Sequence, residues 1–266
     1  MWLFNSSIGR KVVMSVTGIS LILFMTFHGC MNVVALFSAK GYNMICEFLG
    51  ANWYAVVATL ALAALAVIHI VYAFILTIQN RKARGNNRYD VTDKPAKVEW
   101  ASQNMLVLGI IILLGLLLHL YNFWCKMMFT ELAGIGNEKL AADGFYWIQK
   151  TFKDPVYVGL YIIWIVALWF HLTHGFWSSI QTLGWSGHIW FKRWKVIGII
   201  FVTLLCLMFI AVVLGFYFNC APSLCGCNGC TCSAECCIDG VCTCNLGDLC
   251  ECSKKCVEAA GACCGK

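Results

Sequence analysis

Residues 155–182 read PVYVGLYIIWIVALWFHLTHGFWSSIQT, a run without one lysine, arginine, aspartate or glutamate. As a helix rising 1.5 Å per residue, such a run crosses the roughly 30 Å apolar layer of a bilayer, which takes about 20 residues. Four further runs have the same character: Val12–Ser38, Asn52–Gln79, Trp100–Lys126 and Val196–Phe218. None contains a carboxylate; each Asp and Glu lies in a loop, at the edge of a run or near the C-terminus. Over all 266 residues the chain is 61% hydrophobic and 12% charged, about half the charge that a water-exposed surface requires. An ordinary soluble domain is therefore excluded, and so is intrinsic disorder, because there is too much apolar surface to bury. The first run is too long for a cleaved signal peptide and precedes no soluble domain. The reading is an all-α integral membrane protein, a five-helix transmembrane bundle over residues 1–218 followed by a cysteine-rich C-terminal tail over 219–266.

Charge sets the expected orientation. Arg10 and Lys11 flank the first span, Arg81, Lys82, Arg84, Arg88, Lys94 and Lys97 crowd the second loop, and Lys192, Arg193 and Lys195 the fourth. The opposite loops nearly cancel in charge. Positive loops stay inside, which predicts a cytoplasmic N-terminus and an outside tail, in the cytoplasmic membrane of a bacterium. The tail carries three lysines against five acids, a net of −2, so the rest of the +6 chain carries +8. The basic second loop suits a docking surface or lipid headgroups.

Of six histidines, five fall inside the spans: His28, His69, His119, His171 and His174. Ionisable groups in a bilayer are costly and mark function, and here each of the first four spans holds at least one. Helical rise puts His28 about 25 Å above Lys11 and His119 about 30 Å above Glu99. On the antiparallel spans, His69 lies about 18 Å and His174 about 13 Å from the cytoplasmic ends. The four therefore sort into an outer pair, His28 with His119, and an inner pair, His69 with His174. Two imidazoles from facing helices are what a b-type haem needs, and bis-His ligation suits electron transfer rather than oxygen chemistry. No Cys-x-x-Cys-His is present, which excludes covalent haem c. Gly18, Gly29, Gly115 and Gly175 thin the helix faces beside these histidines. His171 and His174 share a helical face, and either can serve as ligand. The glycine after His174 favours it, leaving His171 as a hydrogen-bond partner to a propionate or on the quinone side. His188, in the fourth loop, fits a surface role.

These residues resemble a known family. Ser15-Val-Thr17-Gly18 with Phe24, His28 and Asn32, then Ile68-His69, His119-Leu-Tyr-Asn-Phe123-Trp124, and His171-Leu-Thr-His174-Gly175-Phe176-Trp-Ser178 are similar to the single-chain, five-helix, two-haem cytochrome b subunit of succinate:quinone oxidoreductases, the membrane anchor of succinate dehydrogenase and fumarate reductase. The resemblance covers residues 5–218. It implies haem ligands His28, His69, His119 and His174, with Ser15 and Thr17 in the haem environment. It further implies a flavoprotein and an iron–sulfur subunit on the cytoplasmic face, which carry the dicarboxylate chemistry, and a membrane quinone as electron partner, menaquinone in low-potential anaerobic members. No nucleotide fingerprint is present and nothing points to nucleic acid. With no acid inside a span, Glu47 in the first outer loop is the nearest candidate for proton exchange with a quinone.

Rival readings are the di-haem anchor of a hydrogenase or formate dehydrogenase, a transmembrane ferric reductase, and a non-redox membrane protein that handles metal. The last predicts acids lining the spans, and these are absent from the sequence. In the tail, Cys225-x-Cys227, Cys230-x-Cys232, Cys242-x-Cys244 and Cys250-x-Cys252 resemble metallothionein-type thiolate clusters for soft metals, while an outside location favours disulfides instead. Such a segment, poor in apolar residues, folds only if stapled. Cys30, Cys46, Cys125 and Cys206 read as packing residues.

Overall fold

The computed structural model describes residues 6–50, 52–84, 99–135, 138–221, 237–238 and 241–242. Five helical stretches in it are long and apolar enough to cross a membrane. Helix α1 spans Ser7–Val33 and continues as a 3₁₀ turn, Val34–Leu36. The segment before the next span forms α2, Ala39–Phe48, and the second span is α3, Trp53–Arg84. The third begins with a single turn, α4 (Trp100–Gln103), breaks at Asn104, and resumes as α5, Met105–His119. It then widens into a ten-residue π-helix, Leu120–Phe129, and ends as α6, Thr130–Ala133. Helices α7 (Glu138–Ala142) and α8 (Gly144–Phe152) precede the fourth span, α9 (Pro155–Thr182). The fifth is α10, His188–Tyr217. Two dipeptide strands, β1 (Cys237–Ile238) and β2 (Val241–Cys242), pair antiparallel.

Local chemistry places the ends of these helices. The Ser6 hydroxyl accepts from the Gly9 N–H, Ser38 from Gly41, Asp143 from Tyr146 and Asp154 from Val156. Each is the side-chain oxygen that a helix start needs for its orphan donors. Asp154 stands directly before Pro155, whose missing N–H costs nothing at a first helical position. Helix α9 stops at Gly184 (φ +82), where Gly184 N–H bonds the Gln181 carbonyl and Trp185 N–H the Ile180 carbonyl. That is the paired closure of a left-handed cap, where glycine carries no steric penalty.

Two differences from the apolar pattern stand out. The segments around α2 and α8, which hydropathy alone marks as loops, are short amphipathic helices with their own side-chain caps. Helix α10 starts at His188, well before Val196, since Ile189, Trp190 and Phe191 extend the apolar face past the three cations. His188 is accordingly the first residue of a helix, and it is exposed.

The chain divides into two compact units. The first comprises residues 1–28, 57–115 and 163–207; the second comprises 29–56, 116–162 and 208–266. In the first, Ala101, Leu108 and Ala167 form a buried cluster flanked by Ile111, Ile112 and Phe170. Trp164 donates its indole N–H to the Ile112 carbonyl and lies flat against Gly115, where any Cβ would collide with the indole. Trp169 donates to the Thr203 hydroxyl at 2.9 Å, and Gly198 admits the Phe176 ring. In the second unit, Asp143 is buried and ties α8 to α2, accepting from Asn43 Nδ2 at 2.9 Å while Asn43 Oδ1 accepts from the Phe145 N–H. Gly144 packs on Cys46, Phe145 on Phe216, and Gly215 on Leu36. The outward faces of α3 and α10 are apolar: Leu60, Val67, Val71, Ile78, Ile199, Ile200 and Leu204 are all exposed. Continuous apolar exposure of this kind marks a lipid-facing surface.

Candidate functional site

The first unit gathers three of the intramembrane histidines around a small set of polar partners. Thr17, buried on α1, is a hydrogen-bond partner of His69 on α3. Its Oγ1 lies 2.8 Å from the Val13 carbonyl, 3.1 Å from the Met14 carbonyl and 3.1 Å from His69 Nδ1. With the single hydroxyl proton on a carbonyl, the hydroxyl oxygen accepts from His69 Nδ1–H. Nε2 then keeps its lone pair, the arrangement that metal-binding histidines use. Next to it, a Cβ on Gly18 would come within 3.3 Å of His69 Cε1. Glycine there lets the ring sit close to α1. Ser15, also buried, turns its hydroxyl back to the Lys11 carbonyl of its own helix at 3.0 Å.

His171 and His174 share a face of α9, yet their rings meet different partners. The ring of His171 has its centroid 6.4 Å from that of His69, with the planes 69° apart. Two metal–nitrogen bonds of about 2 Å each, together with the two half-rings, add to about 6 Å. The His171 Nδ1 atom is buried and has no hydrogen-bond partner among the described residues. Leaving a buried polar atom in that state costs about 1–3 kcal/mol unless something else satisfies it. His174 instead places Nδ1 3.2 Å from Glu99 Oε2, and Glu99 Oε1 lies 2.6 Å from Lys195 Nζ. The Lys195 ammonium also sits over the rings of Trp177 (4.4 Å) and Phe191 (4.9 Å), with Trp177 edge-on to His174. Partial burial opposes charge on Glu99, but the hydrogen bonds from Lys195 and His174 outweigh it and hold the carboxyl below its usual range. Gly175 faces open space.

His28 belongs to the first unit and stacks on Phe24 of its own helix at 5.4 Å and 19°. His119 belongs to the second, at the point where α5 becomes the π-helix, with Phe123 at 5.1 Å and Tyr161 at 6.2 Å. Beside it, Asn122 is buried and reaches the Tyr161 hydroxyl at 3.5 Å. Glu47 is exposed on α2, and among the described residues no side chain binds its carboxylate. Cys225, Cys227, Cys230, Cys232, Cys244, Cys250 and Cys252 lie outside the described residues, and Cys242 is described only by its backbone pairing with Cys237. Among the described residues no three or more His, Cys, Asp or Glu side chains converge as a metal site. A two-histidine arrangement needs no third protein donor.

The contact of Glu99 and Lys195 with His174 is not evident from the sequence. The one signal is position: Glu99 is the last of three acids, after Asp90 and Asp93, in a net basic loop and stands at the mouth of an apolar run, and Lys195 is the last cation before another. Comparison with protein-family models, with characterised proteins and with solved structures found no match to this chain.

Proposed function

We propose that this chain is the di-haem cytochrome b anchor of a succinate:quinone oxidoreductase, in a bacterial cytoplasmic membrane with its N-terminus inside and its tail outside. The observation that carries the reading is the pairing of His69 and His171 at 6.4 Å in the first unit, with the Thr17 hydroxyl against one ring and, among the described residues, no hydrogen-bond partner for the buried Nδ1 of the other. These donors fit a bis-histidine haem: a threonine hydroxyl lies behind one imidazole, and the Nδ1 atom of the other has no hydrogen-bond partner among the described residues. His171 is thereby the better partner for His69. On this reading His174, held by Glu99 and Lys195, is a neighbour of the pair and not a ligand. The second pair, His28 with His119, remains an expectation from their depth along the sequence.

His69 and His171 would hold a b-type haem, which when bound would supply a one-electron carrier. The chain itself supplies the imidazole nitrogens and their apolar surroundings. Quinone, menaquinone in an anaerobe, exchanges electrons with this path, and a flavoprotein and an iron–sulfur subunit on the basic cytoplasmic side carry succinate or fumarate chemistry. The family-like histidine contexts and the absence of acids in the spans support this reading over a metal-handling protein. Replacing histidines one at a time tests it. His69→Ala and His171→Ala each lose one of two haems per chain, whereas His174→Ala keeps both. Loss of a haem in His174→Ala with full retention in His171→Ala would reverse the ligand assignment, and absence of haem from the unaltered chain would end the reading.

A further inference from the structure

The second unit carries a cationic cluster that electron transfer does not use. Lys126, on the π-helix, and Lys150, on α8, share one indole: their ammonium nitrogens lie 5.2 Å and 5.2 Å from the ring centroid of Trp147. Lys126 also sits 5.1 Å over Tyr121 and Lys150 5.4 Å over Tyr146. Two like charges around one ring repel, and nearby opposite charge is the ordinary remedy. Among the described residues neither lysine forms an ion pair. The hydrogen bonds they do make are to neutral acceptors, Lys126 to Asn122 Oδ1 at 3.5 Å and Lys150 to the Tyr146 oxygen at 3.2 Å. Each ammonium has three donors, so most of that capacity is unspent. Tyr146, accepting from Lys150, keeps its own O–H to donate.

Helix α8 explains why the cluster faces outward. Phe145, Ile148 and Phe152 are buried on one side, and that leaves Tyr146 and Lys150 on the other. On the neighbouring third span, Tyr121, Phe129 and Leu132 are exposed apolar surface. Cations over aromatic rings, bordered by exposed apolar side chains at the end of a membrane span, match a molecule that is anionic at its head and apolar behind it.

We propose that Lys126, Lys150 and the Tyr146 hydroxyl bind the phosphate of an anionic phospholipid whose acyl chains lie against Tyr121, Phe129 and Leu132. The proposal rests on the membrane-spanning part of the functional reading but not on haem. The test is native mass spectrometry of the full chain, released from detergent after equilibration with phosphatidylglycerol or with phosphatidylcholine of the same acyl chains. Phosphatidylglycerol is expected to be retained on the order of tenfold more strongly, and each lysine removed should cost about fivefold. Lys126→Gln/Lys150→Gln is expected to abolish the preference and Lys126→Arg/Lys150→Arg to keep it, with circular dichroism checking that both variants stay folded. Equal retention of the two lipids, or a preference that survives the glutamine variant, overturns the proposal. So does full displacement of the lipid by inorganic phosphate, which would make the site one for a free anion. Haem absorbance read on the same samples separates the two claims: lipid preference without haem leaves the headgroup site standing, and haem without lipid preference leaves the cytochrome standing.

Discussion

Thr17→Val removes one oxygen and almost no volume, and it isolates the bond on which the orientation of His69 depends. In the structure that oxygen lies 3.1 Å from His69 Nδ1 inside a buried site. Valine removes this partner and leaves the Met14 backbone as the other hydrogen-bond partner of the ring, at a cost of up to about 1–3 kcal/mol. The Val13 and Met14 carbonyls lose only a secondary donor, because each retains its helical hydrogen bond. The penalty falls on one tautomer, the one with Nε2 free, so it is felt as weaker ligation. Loss of an outer-shell partner of a metal-binding histidine costs about 10–100-fold in affinity, or roughly 1.4–2.8 kcal/mol at 1.4 kcal/mol per decade, which agrees with the hydrogen-bond figure. The assay is a haemin titration of the purified, haem-depleted chain in detergent, followed at the Soret band. One of two binding steps should weaken by that factor in Thr17→Val, while Thr17→Ser, which restores the oxygen, should bind as the unaltered chain does. Equal affinities for Thr17→Val and the unaltered chain, or equal losses in the valine and serine variants, would refute the reasoning.

Three further outcomes follow from other parts of the molecule. Gly115→Leu drives a side chain into the Trp164 indole, and overpacking of this kind costs about 1–3 kcal/mol; thermal unfolding in detergent should show a lowered midpoint. Glu99 has its carboxyl below the usual range, so its contribution is present above the unfolded-state value and is lost as pH falls through the lowered folded value. Melting temperature should therefore drop on acidification through and below the ordinary carboxylate range, and Glu99→Gln should flatten that part of the profile. The effect is small because the side chain is 38% exposed. Burial beside Asp143 pushes the Cys46 thiol up to about 12, despite its hydrogen bond with Tyr42. Iodoacetamide at pH 8 should thus modify the exposed Cys220 and spare Cys46, as read by peptide mass spectrometry.

The five long helices were legible because their signal is local: apolar length, the absence of acids, and starts such as Asp154-Pro155 that lie within a few residues of the helix they serve. The short helices α2 and α8 were not, since hydropathy averages over their amphipathic faces and hides the capping by Ser38 and Asp143. At the site, the histidines stood out because bilayer chemistry makes them rare, and Thr17 entered through its likeness to a known context. The different surroundings of His171 and His174 were beyond the sequence. His171 meets His69, about a hundred residues away, while His174 meets Glu99, 75 residues from it and 96 from Lys195. Such contacts are set by which helices become neighbours, and no periodicity within α9 encodes that. Gly115 illustrates the same limit: it thins a helix face as expected, but the group that uses the space is an indole.

The central claim is that the intramembrane histidines hold haem. A reduced-minus-oxidised optical spectrum of the purified chain, with a pyridine haemochrome measurement of haem per polypeptide, tests it most directly. Reduced b-type bands and two haems per chain are expected; a chain that purifies folded and without haem, or with covalently attached haem, would contradict haem binding by these histidines.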